Sequence, residues 1–239
     1  MSARSKFSSN EKKRDWKLSV PFQMQVIGMS QSGKSSRILD FINHKKRVLK
    51  TDIKQVIYVA PCALDEDYTY IKEIKKACDK TQTQIRVSDL IPTINEVQEV
   101  YASGPILLIL DDATSFDDLT GLTNLSGVYS HHKNISVIYS LQNPFQKKKK
   151  MDLVSISRNL TARLLCYSPN DWNVYCILNR IIYPDKKNFI VTCLSAAKED
   201  GLNYIFINTS PHTELSRKDI CYTAIFQEKN NEEPKFFDL

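Results

Sequence analysis

The sequence predicts an α/β domain of three layers, a mainly parallel sheet between helices. Three observations carry this. Short apolar runs bounded by turn or cap residues alternate with stretches of helical spacing along the 239 residues, and strands that take turns with helices pair in parallel with both faces covered. The runs "ILLIL" and "ISVIYSL" lack the polar alternation of a half-exposed strand. With 42% hydrophobic and 25% charged residues, the chain suits one globular domain with a sizeable core.

The elements follow in order. "QMQVIGM" reads as a strand and "SSRILDFINHKKRVL" as a helix with Ile38, Phe41, Ile42 and Leu49 on one face. "KQVIYVAP" is a strand, "DYTYIKEIKKAC" a helix and "QIRVS" a short strand. "PTINEVQEVYAS" is a helix that opens with Pro and Thr and is closed by Gly104. "ILLILDD" and "ISVIYSLQN" are buried strands joined by a polar, glycine-containing connection. Beyond Lys150 come the strand "ARLLCYS", the helices "PNDWNVYCILNRI" and "KKNFIVTCLSAAKED", and the closing strands "NYIFINTS" and "CYTAIFQ". No repeat is present, and the lysine run 147–150 is the only low-complexity tract.

Cys62, Cys78, Cys166, Cys176, Cys193 and Cys221 form no Cys-x-x-Cys pair and do not alternate closely with the four histidines. A disulfide framework or a zinc site is not expected, and the usage fits a reducing compartment. The polar start lacks the apolar centre of a signal peptide, and no run approaches a membrane span. A soluble, intracellular protein is expected.

The net charge of +6 is unevenly placed. Residues 1–20 carry six Lys or Arg against two acids, and Lys147, Lys148, Lys149 and Lys150 form a second basic block. Residues 1–20 are read as a basic, flexible tail and 21–239 as the folded domain. Two basic appendages on a nearly neutral body suit a polyanion-binding protein; solvated segments are the plainer reading.

Residues Gly28, Met29, Ser30, Gln31, Ser32, Gly33, Lys34 and Ser35 match G-x-x-x-x-G-K-[ST], with a strand before and a helix after. Glycines let backbone N–H groups turn around an anion, and the helix start adds its positive dipole end. Lys34 reaches the β and γ phosphates, Ser35 offers its hydroxyl to Mg²⁺, and Ser36 pins the loop. The plainer reading is a tight turn that binds nothing. "ILLILDD" argues against it by delivering Asp111 and Asp112 at a strand's carboxyl end, where such sheets bind ligands. Asp111 fits the carboxylate that holds Mg²⁺ through water, and Asp112 the general base that activates water; a cap is the plainer reading of Asp112. The two motifs together predict a P-loop NTPase domain of the ASCE/RecA-like kind. "SVIYSLQNPF" adds Gln142 and Asn143, of which Gln142 is preferred as the sensor of the γ-phosphate or the attacking water. Arg158 in "SISRNLT" is the leading candidate for an arginine supplied to a neighbouring subunit's site, with Arg163 and Arg180 as competitors.

"VIGMSQSGKSS", "LLILDDATS", "IYSLQNPF" and "ISRNLTARLLCYSPNDW", in that order, resemble the genome-packaging ATPases of double-stranded DNA viruses and virus-like transposons. That group belongs to the FtsK/HerA superfamily and is typified by the poxvirus packaging ATPase. The similarity runs from about Phe22 to Gln227. It implies a ring of five or six subunits that couples ATP hydrolysis to translocation of double-stranded DNA into a preformed capsid. It also implies capsid or portal partners and a place at the host-cell assembly site, with the virion as a further location. Lys34, Ser35, Asp111, Asp112 and Gln142 carry over position by position, and Arg158 less directly. One departure is the aspartate at 112, shorter than the glutamate many translocases use, although the viral group also tolerates aspartate.

On this reading Lys147–Lys150, just past the sensor strand, couple nucleotide state to a grip on duplex phosphates. Two other classes stay open. A P-loop kinase of a small molecule or nucleotide needs an arginine-rich lid, which the sequence lacks. A non-catalytic scaffold would bind nucleotide and dock its lysines on an acidic partner. Stimulation of hydrolysis by DNA separates the motor from both.

Overall fold

The computed structural model describes residues 15–65, 68–93, 95–97, 104–116, 134–145, 159–211, 220–227 and 234–237. Among the described residues nine strands form one sheet: β1 Gln23–Ile27, β2 Gln55–Val59, β3 Gln84–Ser88, β4 Ile106–Leu110, β5 Ile135–Leu141, β6 Ala162–Cys166, β7 Tyr204–Asn208, β8 Cys221–Thr223 and β9 Lys235–Phe236. Their order is β3-β2-β4-β5-β1-β6-β7-β8-β9. The first six pair in parallel, and the last three extend the sheet antiparallel from β6.

The unbroken apolar runs fit this sheet because both of its faces are buried. In β4, Leu107 and Ile109 join Val56, Tyr58 and Ile138 in the core on one face, while Leu108 and Leu110 join Ile57, Val59 and Val137 on the other. The first face is covered by helices α1 Lys34–Asn43, α3 Tyr70–Lys80, α4 Trp172–Ile182 and α5 Phe189–Glu199, through Phe41, Ile74, Leu178 and Leu194. Val97, Ala113, Phe116 and Leu160 pack against the second. The result is the three-layer P-loop fold. At the start of the helix expected near 92–103, Thr93 and Glu96 form a reciprocal cap, Thr93 N–H to Glu96 Oε2 at 2.7 Å and Glu96 N–H to Thr93 Oγ1 at 3.3 Å. Residues 95–97 are helical, and the remainder of that element lies outside the described residues. No helix among the described residues is long and apolar enough to cross a membrane.

Three expectations differ from the structure. The helix expected to run to Leu49 ends at Asn43, and a separate turn, α2 Lys45–Val48, follows. The break lets Leu49 leave in extended geometry and bridge to Leu18, while Lys45, wholly buried, pairs with Asp52. The strand expected in "CYTAIFQ" stops at Thr223, because Ala224 takes φ 62°. The tail boundary at residue 20 lies too far into the chain. Trp16 and Leu18 belong to the core, Trp16 meets the ring of Tyr222 edge-on and its carbonyl accepts the Tyr222 hydroxyl at 2.8 Å. Leu18 is tied by backbone bonds to Val48 and Lys50. The charge around these two apolar residues masked them; residues 1–14 lie outside the described residues. Trp16→Ala is accordingly expected to cost about 3 kcal/mol in urea unfolding, as for a core aromatic, against less than about 0.5 kcal/mol for a truly peripheral position.

Candidate functional site

The site begins where β1, between β5 and β6, hands the chain to α1. Gln31 and Gly33 take φ 63° and 90°, left-handed geometry that curls the loop so that N–H groups turn toward its hollow. Gly28 lies at a close approach to Ser32 and Cys166. A Cβ there would lie 2.3 Å from Ser32 Oγ and 3.1 Å from Cys166 Cβ. Lys34, nearly buried, donates from Nζ to the carbonyls of Gly28 and Met29 at 2.8 and 2.9 Å, so its ammonium is held by the loop's own first turn. Ser35 Oγ donates to Asp111 Oδ2 at 3.1 Å.

Asp111 follows β4 and is 4% exposed. Besides Ser35, its carboxylate accepts the Tyr58 hydroxyl at 2.7 Å and the Asp112 N–H at 3.0 Å. Burial, reinforced by the charge of Asp111, pushes the Tyr58 phenol far above its usual range, so it remains a donor. Tyr68 and Tyr58 share a hydroxyl contact of 3.2 Å, and Tyr70 donates to the Ser35 carbonyl. Three tyrosines thus buttress the Ser35–Asp111 pair from β2 and the segment leading into α3.

Asp112 has φ 50°, which turns the chain sharply off β4 into the 3₁₀ turn Ala113–Ser115. Its carboxylate accepts the hydroxyls of Thr114, at 3.3 Å, and Ser115. After β5, Asn143 is engaged as a turn residue, its Oδ1 accepting the Phe145 N–H at 2.9 Å; Gln142 reaches the cleft.

A cleft of about 550 Å³ brings together Ser30, Gln31, Gly33, Lys34, Ser35 and Ser36 with Asp111, Asp112 and Gln142. Ala60, Pro61, Cys62 and Tyr68 complete one wall. Gly28, Met29 and Ser32, expected as contacts, are not on its wall: Gly28 is buried beneath the loop, and Met29 is 39% exposed. Arg158 and Lys147–Lys150 lie outside the described residues. Of the competing arginines, Arg163 is 6% exposed on β6, with burial lowering its guanidinium to about 10. It is thereby removed as an arginine presented to a neighbour, whereas Arg180 is exposed on α4.

Ser35 and Asp111 are the residues that would hold a metal. Among the described residues no group of three His, Cys, Asp or Glu could hold an ion. One hydroxyl and one carboxylate, both hard oxygen donors, suit Mg²⁺, which keeps several waters and takes its other ligands from phosphates. Two residues at this site were missed in the sequence: Tyr58, hidden in a strand of core composition, and Asp171, in the quoted "SPND" but without a role. Asp171 Oδ2 accepts the Met29 N–H at 2.7 Å.

No protein-family model matches the chain, and no curated protein does. Solved structures similar to it include the genome packaging NTPase B204 of Sulfolobus turreted icosahedral virus 2 in complex with ATPγS, at 13% identity and TM-score 0.42, covering 81% of this chain and 94% of that one. Another is the cytoplasmic domain of the type VII secretion ATPase EccC of Thermomonospora curvata, at 13% identity and TM-score 0.42, covering 63% of this chain and 20% of that one. A third is the assembled ATPase EscN of the enteropathogenic E. coli type III secretion system, at 14% identity and TM-score 0.35, covering 61% and 43%.

Tyr58→Phe removes one donor from a buried carboxylate without changing its shape. The expected cost is about 1.5–3 kcal/mol in urea unfolding, the range for a hydrogen bond to a charged group; an unchanged midpoint would show that Asp111 does not depend on Tyr58.

Proposed function

We propose that the chain is an ATP-hydrolysing motor that translocates double-stranded DNA, packaging a viral genome into a preformed capsid. The observation that carries the ATPase part is the meeting of Lys34, Ser35, Asp111, Asp112 and Gln142, from three separate segments, around one cleft of about 550 Å³. The resemblance in "LLILDDATS", "IYSLQNPF" and the "SPND" segment supports the motor part.

The chain's own groups perform the following. The curled loop and the start of α1 bind phosphates through N–H groups and the helix dipole, and Lys34 moves from the loop carbonyls to the β and γ oxygens. Ser35 and Asp111 would hold Mg²⁺, which would supply neutralisation of phosphate charge. Asp112 takes the proton of the attacking water, its carboxylate oriented by the hydroxyls of Thr114 and Ser115. Gln142, at the end of β5, orients that water or registers the γ-phosphate. Arg158 of a neighbouring subunit in a ring of five or six meets the charge developing on the transferred group, and Lys147–Lys150 grip the DNA backbone.

A second reading has one observation in its favour. Those same hydroxyl bonds make Asp112 a turn stabiliser, as in a scaffold that binds nucleotide without turnover. Substitutions separate the two. Lys34→Ala is expected to abolish ATP binding, while Asp112→Asn keeps binding and loses about 10²–10⁴-fold in turnover, the share of a general base. Turnover by Asp112→Asn at the parent rate would exclude Asp112 as the base. Steady-state hydrolysis is also expected to rise with long double-stranded DNA and to lose that stimulation as salt increases; turnover indifferent to DNA would count against translocation.

A further inference from the structure

The "SPND" segment has no part in the chemistry above, yet its aspartate touches the phosphate loop. Asp171 closes the 3₁₀ turn Pro169–Asp171 and occupies the residue before α4, where an aspartate ordinarily caps the helix, but its side chain makes no capping bond. It is 3% exposed. A buried carboxylate is costly unless it is hydrogen-bonded, and its short bond runs to the Met29 N–H, 142 residues away in sequence, at 2.7 Å. Tyr175 lies farther off at 3.4 Å and spends its hydroxyl on the Cys166 carbonyl at 2.5 Å.

The peptide unit between Gly28 and Met29 is therefore held at both ends by charge. Its N–H points to the Asp171 carboxylate, and its C=O, that of Gly28, accepts the Lys34 ammonium at 2.8 Å. In a water-poor setting the two bonds polarise each other through the peptide. Rotation of that peptide would turn the Gly28 carbonyl away from Lys34 and leave the buried carboxylate without its short bond. The glycine at 28 is what allows this, since a Cβ would strike Ser32 and the end of β6.

We propose that Asp171 is a positioning residue of the nucleotide site. Through the Gly28–Met29 peptide it sets the first turn of the phosphate loop and stations Lys34 at the place phosphates enter. This rests on the nucleotide-binding reading above. Loss of Asp171 acts on binding rather than on turnover, because Asp111, Asp112 and Gln142 are untouched.

The test uses the full chain as parent, Asp171→Ala, Asp171→Asn and Tyr175→Phe, with ATP binding by calorimetry, KM and kcat, and ¹⁵N-methionine labelling; four methionines leave few amide signals to assign. The Met29 amide proton is expected far downfield in the parent and displaced upfield in both Asp171 variants. Asp171→Ala is expected to bind ATP about tenfold more weakly, the size of one charge-assisted bond, with kcat within about twofold. Asp171→Asn, which keeps an acceptor oxygen, recovers most of the affinity, and Tyr175→Phe lowers the melting temperature while binding ATP like the parent. Parent-like affinity in Asp171→Ala, or an unmoved Met29 amide in Asp171→Asn, overturns the proposal. Should Asp171→Ala not fold, the amide shift and affinity of Asp171→Asn decide alone. A parent that binds no ATP sinks the nucleotide reading, whereas loss of ATP binding in Lys34→Ala with parent-like Asp171→Ala sinks only this inference.

Discussion

The parallel register of three neighbouring strands, β4, β5 and β1, is the constraint on which the cleft depends. Leu110 lies beside Tyr139, and Leu141 beside Ile27, while the Gly28 N–H continues the ladder to the Leu141 carbonyl at 3.2 Å. Parallel strands present their carboxyl ends on one edge, so the residues that follow them meet without any long-range design beyond pairing. Asp111, Gln142 and the Gly28 loop are the next residues after three adjacent strands. A shift of one position in β4 would turn its side chains to the opposite face.

Around that edge the chain solves an electrostatic problem with hydroxyl groups. Asp111 is almost fully buried yet has hydroxyl donors on two elements, Ser35 on α1 and Tyr58 on β2, besides the N–H of Asp112. Asp112 is held by two more hydroxyls from its own turn. Such donors stabilise negative charge without adding positive charge, so Lys34 is the one cation on the wall of the described cleft.

How much of this could be read beforehand depended on whether the controlling contact was local. Lys34, Ser35, Asp111, Asp112 and Gln142 sit at strand ends or in the adjoining loop, and strand periodicity places such residues directly. Tyr58 could not be found this way, because in "QVIYV" a tyrosine is simply a β-former; only the pairing of β2 with β4 makes it a partner of Asp111. Asp171 was visible as part of a specific segment but its role depends on a contact across 142 residues. Trp16 and Leu18 are hidden by the charged stretch around them, and helical spacing puts Leu49 on a face it does not occupy because a long-range bridge to Leu18 overrides that spacing. Local pattern identified the ends of strands and not what lies behind them.

The left-handed backbone at Asp112 bears on why an aspartate, and not a longer acid, stands at the end of β4. At φ 50° a side chain is tolerated best when it is short and able to bond its own neighbourhood, which favours Asp and Asn over longer residues. The bonds to Thr114 and Ser115 are of that local kind. The tight corner after β4 therefore selects the residue on conformational grounds, exchanging reach for conformational ease. A lengthened acid at 112 would require the corner itself to be rebuilt, so the two are expected to change together among descendants of this sequence.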